Sequence, residues 1–114
     1  MATDPLSLTF AALADPTRRA ILSRLANGQA SVGELAMPHD MSLAAVSKHI
    51  KVLETAGLIR REKDAQYRYC QLQAGPLKDL DGWMAAYRGL WRDNLDQLDT
   101  YLADMQRGDD TNKQ

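Results

Sequence analysis

At 114 residues, 45% hydrophobic and 25% charged, the chain has the size and composition of one globular domain with enough apolar material for a core. Its net charge of −1 excludes a uniformly basic protein, no apolar run approaches the roughly 20 residues of a membrane span, and the first residues carry no basic leader. The single Cys70 excludes an internal disulfide and fits a reducing cytoplasm.

Residues 1–5 are expected to fray at the chain end. Leu6 to Ala14 carries Leu6, Phe10 and Leu13 at helical spacing and reads as a short amphipathic helix. Asp15-Pro16 is the cap-plus-proline start of a second helix, in which Ile21, Leu22 and Leu25 face inward and Asn27-Gly28 closes. The Arg18 stem can lie along the core while its head reaches solvent; Arg19 is the freer of the pair for phosphate contact. Ser31 with Glu34 three residues on has the spacing of a capping box, so a third, shorter helix begins there. Pro38 cannot continue it, and Met37 to Met41 is a turn.

Ser42 then caps a fourth helix that stops at Gly57. Leu43, Val46, Ile50 and Leu53 share its inward face. Ala44, Ala45, Lys48 and Lys51 lie on or near the opposite face, with Ser47 and His49 on the flanks. No carboxylate precedes Glu54, so the front of this helix is short, smooth and cationic. Such a front suits the major groove of DNA, about 12 Å wide; a solvated face that happens to hold two lysines is the plain alternative. Short helix, turn and basic second helix together follow helix-turn-helix logic.

Beyond Gly57, Leu58–Glu62 and Tyr67–Leu72 read as two strands around a polar tip, 63–66. Cys70 and Leu72 share one face of the second strand, and Gln29–Ser31 is positioned to add a short third. Between Ser42 and Arg68 six cations (Lys48, Lys51, Arg60, Arg61, Lys63, Arg68) stand against Glu54, Glu62 and Asp64. From Leu77 to Asp110 eight aspartates outweigh Lys78, Arg88, Arg92 and Arg107. One part of the molecule is built to meet an anion and another is not.

After Gly75-Pro76 a long helix carries the stripe Leu77, Leu80, Met84, Tyr87, Trp91, Leu95, Leu98, Leu102 and Met105, widened by Trp83 and Leu90. A helix of about 30 residues is roughly 45 Å long, more than a domain this small can cover. The excess apolar length calls for a partner, most simply a second copy. The domain is expected to span 1–107, with 108–114 a disordered tail.

This order of elements is similar to that of winged-helix repressors of the ArsR type. The resemblance covers about Leu6 to Met105 and is carried by FAALADPTRRAILSRLANGQASVGELA, by MSLAAVSKHIKVLETAGLIRREKDAQYRYCQL and by the long final helix. The second block is the more specific, because it joins a recognition helix to a wing at fixed spacing. The resemblance implies a mainly α winged helix-turn-helix fold with a small β-hairpin wing. It further implies a homodimer joined through the first and last helices, and repression at operator DNA. Leu6, Phe10, Leu13, Tyr87, Trp91, Leu95, Leu98 and Leu102 are then the expected dimer contacts.

Two familiar metal sites of the family are missing. The first helix of the helix-turn-helix has no cysteine, and the last helix has Asp93, Asp96, Asp99 and Asp104 but no histidine. Zinc favours nitrogen and sulfur donors, so neither a metal nor any other cofactor is expected, and the inducer is left undefined.

The expected DNA-contacting set is Ser42, Ala44, Ala45, Ser47, Lys48, His49 and Lys51 on the helix, with Arg60, Lys63, Gln66 and Arg68 on the wing. Alanine can touch a thymine methyl group, and serine can bond a base edge or a phosphate. His49 has two readings, a phosphate contact or a hydrogen bond locking the helix to the domain. No catalytic constellation appears: Ser42 and His49 are two helical turns apart, and Lys48 and His49 diverge. The alternatives to a repressor of this type are a winged-helix docking module for another protein, and a repressor with an atypical metal or redox input.

Overall fold

A computed structural model describes residues 4–64 and 67–112, and it divides into two compact units, Met1–Leu80 and Asp81–Gln114. The element order is α1 (Pro5–Leu13), α2 (Pro16–Leu25), β1 (Ala30–Ser31), α3 (Val32–Ala36), α4 (Leu43–Thr55), β2 (Ile59–Asp64), β3 (Tyr67–Leu72) and α5 (Gly75–Asn112).

The helix starts follow their side-chain caps. The Asp4 carboxylate accepts the Ser7 N–H at 3.0 Å, and Pro5 opens α1, so residues 4 and 5 are ordered into the helix start rather than frayed. Asp15 does the same for α2, accepting the Arg18 N–H at 3.0 Å ahead of Pro16. Ser31 accepts the Glu34 N–H at 3.1 Å, while the Glu34 carboxylate accepts from the Ser31 hydroxyl at 3.2 Å. Ser42 accepts the Ala45 N–H at 3.1 Å and opens α4.

One side of each of α1 to α4 makes the core. Ala12, Ile21, Leu22, Leu25, Leu35, Val46, Ile50 and Leu53 are buried together with Leu58, Ile59 and Cys70 from the sheet side. On α1 the buried residues are Thr9 and Ala12, with the Thr9 hydroxyl donating to the Pro5 carbonyl at 3.1 Å. Leu13 is half-buried and packs against this core, Leu6 is half-buried, and Phe10 is 41% exposed.

The sheet is three-stranded and antiparallel in the order β1-β3-β2. The third strand is Ala30–Ser31, pairing Ala30 with Cys70 and Ser31 with Tyr69. The hairpin ladder runs from Ile59↔Leu72 to Asp64↔Tyr67, so Lys63 and Asp64 belong to a strand and not to the expected tip. Burial holds the Cys70 thiol above its ordinary pKa, as an inert core cysteine requires.

Between α4 and β2 the chain turns at Gly57, whose φ of 77° is left-handed. The Leu58 N–H bonds back to the Leu53 carbonyl and the Gly57 N–H to the Glu54 carbonyl, both at 2.9 Å, closing the helix. A side chain at this φ would be strained whatever the space around it.

The helix α5 has 38 residues, longer than expected, and its backbone passes the Gly108 boundary to reach Asn112. Within the second unit Trp83 and Tyr87 pack with ring centroids 5.0 Å apart. Trp91, Leu95, Leu98, Leu102 and Met105 are exposed along it, and so is Tyr101, which the stripe did not include. No helix among the described residues is long and apolar enough to cross a membrane.

Candidate nucleic-acid interface

The periodicity of α4 divides it into an inner and an outer text. Val46, Ile50 and Leu53 are buried, whereas Ser42, Ala44, Lys48 and Lys51 are exposed and Ala45, Ser47 and His49 are half-buried. Neither Lys48 nor Lys51 is in an ion pair among the described residues. The first turn carries no acidic side chain, so nothing on the helix offsets the positive end of its dipole.

Leu43 corrects the sequence reading. The helical period puts it on the inward face with Val46, yet it is 57% exposed. It is the first residue of α4, and helical side chains tilt toward the helix N-terminus, so this side chain projects beyond the turn that packs on the core. The leading end of the helix is thus apolar, with Leu43 and Ala44 exposed beside the capping Ser42. Its position at N1 was the available signal.

His49 is the anchored flank. The Arg18 guanidinium donates to the Ala12 carbonyl at 2.7 Å and the Ala11 carbonyl at 3.0 Å, and lies 3.2 Å from His49 Nδ1. Arginine can only donate, so in this bond Nδ1 is the acceptor and the ring carries its proton on Nε2. Asp15 stands 3.9 Å from the same Nδ1, and the Arg18 N–H, above all, lowers its carboxyl pKa below the ordinary 3.8. One guanidinium therefore ties the end of α1 and the start of α2 to the middle of α4. Of the two readings of His49 the lock is visible, and Nε2–H is left for any contact beyond it. Arg19 is engaged too, donating to the Leu13 carbonyl at 2.8 Å.

The register splits the wing cations between two faces. Lys63 lies directly opposite Arg68, on the same side of the hairpin as Arg61 opposite Cys70. Like charges directly opposite are unfavourable alone, and Arg61, Glu62, Lys63 and Arg68 border one shallow hollow. Arg60 belongs to the other face. It pairs with Glu62 and donates to the Gln71 side chain at 3.1 Å, and Gln71 in turn donates to Gln29 at 3.0 Å. The structure therefore brings Lys63 and Arg68 together and separates Arg60 from them. Gln66 lies outside the described residues. Arg61, absent from the expected set, sits 3.4 Å from Glu54 and links the wing base to the end of α4.

This geometry has relatives. Residues 13–62 match the family model of a helix-turn-helix domain. The chain is 47% identical over 83 residues to the HTH-type transcriptional regulator Rv2034 of Mycobacterium tuberculosis, an alignment spanning 68% of this chain and 78% of the relative. It is 35% identical over 75 residues to the transcriptional repressor SdpR of Bacillus subtilis, spanning 66% and 83%. A crystal structure of an ArsR family transcriptional regulator superposes with a TM-score of 0.71 at 45% identity, covering 81% of this chain and 97% of that one. The chain belongs to the ArsR family of winged helix-turn-helix transcriptional regulators.

In this ArsR-family regulator α3 and α4 are the helix-turn-helix and β2–β3 the wing. Its relatives are regulators carrying a helix-turn-helix DNA-binding domain, not enzymes. Another structural neighbour is the homodimeric winged helix-turn-helix domain of Mb0332 from Mycobacterium bovis, with a TM-score of 0.59 at 26% identity, covering 81% of this chain and 82% of that one. Among the described residues no group of three or more His, Cys, Asp or Glu is gathered as a metal site would need.

Proposed function

We propose that this regulator is a homodimeric repressor that inserts α4 into the major groove of an inverted-repeat operator. The observation that carries the reading is the outer face of α4, where Lys48 and Lys51 stand exposed among small side chains, in no ion pair among the described residues and with no carboxylate on the helix before Glu54. Ser42, Ala44, Ala45 and Ser47 bring the helix close to the bases; Lys48 and Lys51 take base edges or phosphates; His49 offers Nε2–H to a phosphate. Leu43 joins this set, because the thymine methyl is the apolar group a leucine can meet in the major groove. Lys63 and Arg68 follow the backbone from the wing, and their mutual repulsion is relieved by a phosphate between them. Arg60, already paired, contributes less.

The homodimeric neighbour and the relative named a repressor support the assembly and the sign of regulation. The exposed stripe of α5 and the exposed Phe10 supply the apolar surface for it. A two-fold protein reads a two-fold site, with half-sites one helical turn apart. A repressor acting on such operator DNA would work in the cytoplasm, which is the compartment proposed.

The test is affinity for a selected operator and for random DNA across several salt concentrations. Lys48→Ala should lose roughly 1–3 kcal/mol on the operator and reduce the preference for it over random DNA. Lys63→Ala and Arg68→Ala should weaken both DNAs evenly and lower the salt slope by about one per lost contact. A Lys48→Ala variant that binds as the parent does would remove α4 as the reading head.

A further inference from the structure

Between α1 and α4 lies a groove of about 480 Å³, within the range of small-molecule sites. Leu8 and Ala11 of α1 and Val52 of α4 make its apolar wall, and Lys48 and Lys51 border it. Val52 is 42% exposed there, an apolar side chain with nothing laid over it. Arg18 also borders the groove, but its guanidinium is already spent on two carbonyls and His49. Among the described residues the two lysines have no ion-pair partner.

At about 100° per residue, Leu8 and Ala11 face the side of α1 opposite Leu6, Phe10 and Leu13. The groove and the proposed dimer surface share no residue. Pairing two copies through Leu6, Phe10 and Leu13 therefore uses the other side of α1.

We propose that this groove binds an amphipathic monocarboxylate and that its occupancy releases DNA. The apolar body lies between α1 and α4, and the carboxylate pairs with the Lys48 and Lys51 ammonium groups. The charge complementarity selects an anionic head, and the apolar wall rejects a fully polar anion. The coupling needs no conformational change: the ligand takes the cations that the phosphates would use. This step rests on the reading of Lys48 and Lys51 as DNA contacts.

The probe is sodium decanoate, with decanol as the neutral-headed comparator, titrated calorimetrically into the full chain. Saturable binding of one decanoate per chain is expected, roughly tenfold weaker for decanol and for Lys51→Gln. With decanoate present the DNA salt slope should fall by about two per protomer, one for each lost lysine contact. Ala11→Phe fills the groove from an exposed position and should abolish decanoate binding while leaving DNA affinity unchanged; Val52→Gln serves the same end should Ala11→Phe not fold. The proposal is overturned if decanoate does not bind, if Ala11→Phe or Val52→Gln binds it as the parent does, or if bound decanoate leaves DNA affinity unaltered. Binding lost in Leu95→Asp instead would place the ligand on α5 and overturn it equally. Calorimetry without DNA separates this failure from failure of the DNA-binding reading, which the parent's salt-dependent affinity reports by itself.

Discussion

Replacing Arg18 with alanine removes a side chain that joins three helices of the first unit. Its Nε–H and one terminal N–H bond the Ala12 and Ala11 carbonyls at 2.7 and 3.0 Å, and the other terminal nitrogen lies 3.2 Å from His49. Hydrogen bonds from a charged donor contribute about 1.5–3 kcal/mol each, and the lower end applies to a half-buried group. The two carbonyl bonds alone sum to about 3 kcal/mol, a minimum loss because the contact to the histidine adds to it. For a domain of this size each kcal/mol moves the midpoint by about 4–8 °C, so Arg18→Ala should melt roughly 12–24 °C below the parent. Arg19→Ala is the control: it loses one exposed bond, to Leu13 at 2.8 Å, and should cost less than about 1 kcal/mol. Lysine at position 18 keeps the charge but not the fork, and should recover less than half of the loss. Thermal and urea unfolding measure all three. If Arg18→Ala melts with Arg19→Ala, the guanidinium is not the clasp described, and the orientation of α4 has another origin.

Acid should weaken the same region. The folded pKa of Asp15 lies below its unfolded value near 3.8, so its contribution is fully present above that value and disappears as pH falls through the folded pKa. Asp15→Asn keeps the cap and should flatten the dependence of the melting midpoint on pH below 3.8, as scanning calorimetry would record. Leu43→Ala and exchange of an operator thymine for uracil should each cost about 1 kcal/mol, and less than their sum when combined, if leucine meets that methyl group. Full additivity at every thymine would take Leu43 off the bases. Trp91→Asp should shift sedimentation at micromolar concentration from twice the chain mass toward one and weaken operator binding; a parent that is monomeric on its operator would end the dimer reading.

Much of this architecture was legible because local chemistry and hydrophobic period agreed. Asp15-Pro16, Ser31 with Glu34, Ser42 and Gly57 mark boundaries by mechanisms that act within a few residues. Errors arose where the environment decides. Leu43 fits the inward period of α4 yet lies one turn past the core it would pack on. Lys63 and Asp64 are polar enough for a loop, but the ladder carries them into β2. That Arg60 is spent on Glu62 and Gln71 while Lys63 and Arg68 are left together follows from register, which a list of wing cations does not contain. The Arg18–His49 contact joins residues 31 apart, beyond any local pattern.

On α4, His49 apart, the residues that hold the fold and those that face outward are different residues. Val46, Ile50 and Leu53 are fully buried, while Ala44, Lys48 and Lys51 contribute nothing to the core. Substitutions at these outward positions cost little stability, since surface changes stay within about 0.5 kcal/mol. A lineage carrying this scaffold can therefore drift from one DNA address to another through folded intermediates. The contents of the outer face record the history of its targets, and the inner face records only the shape of the domain.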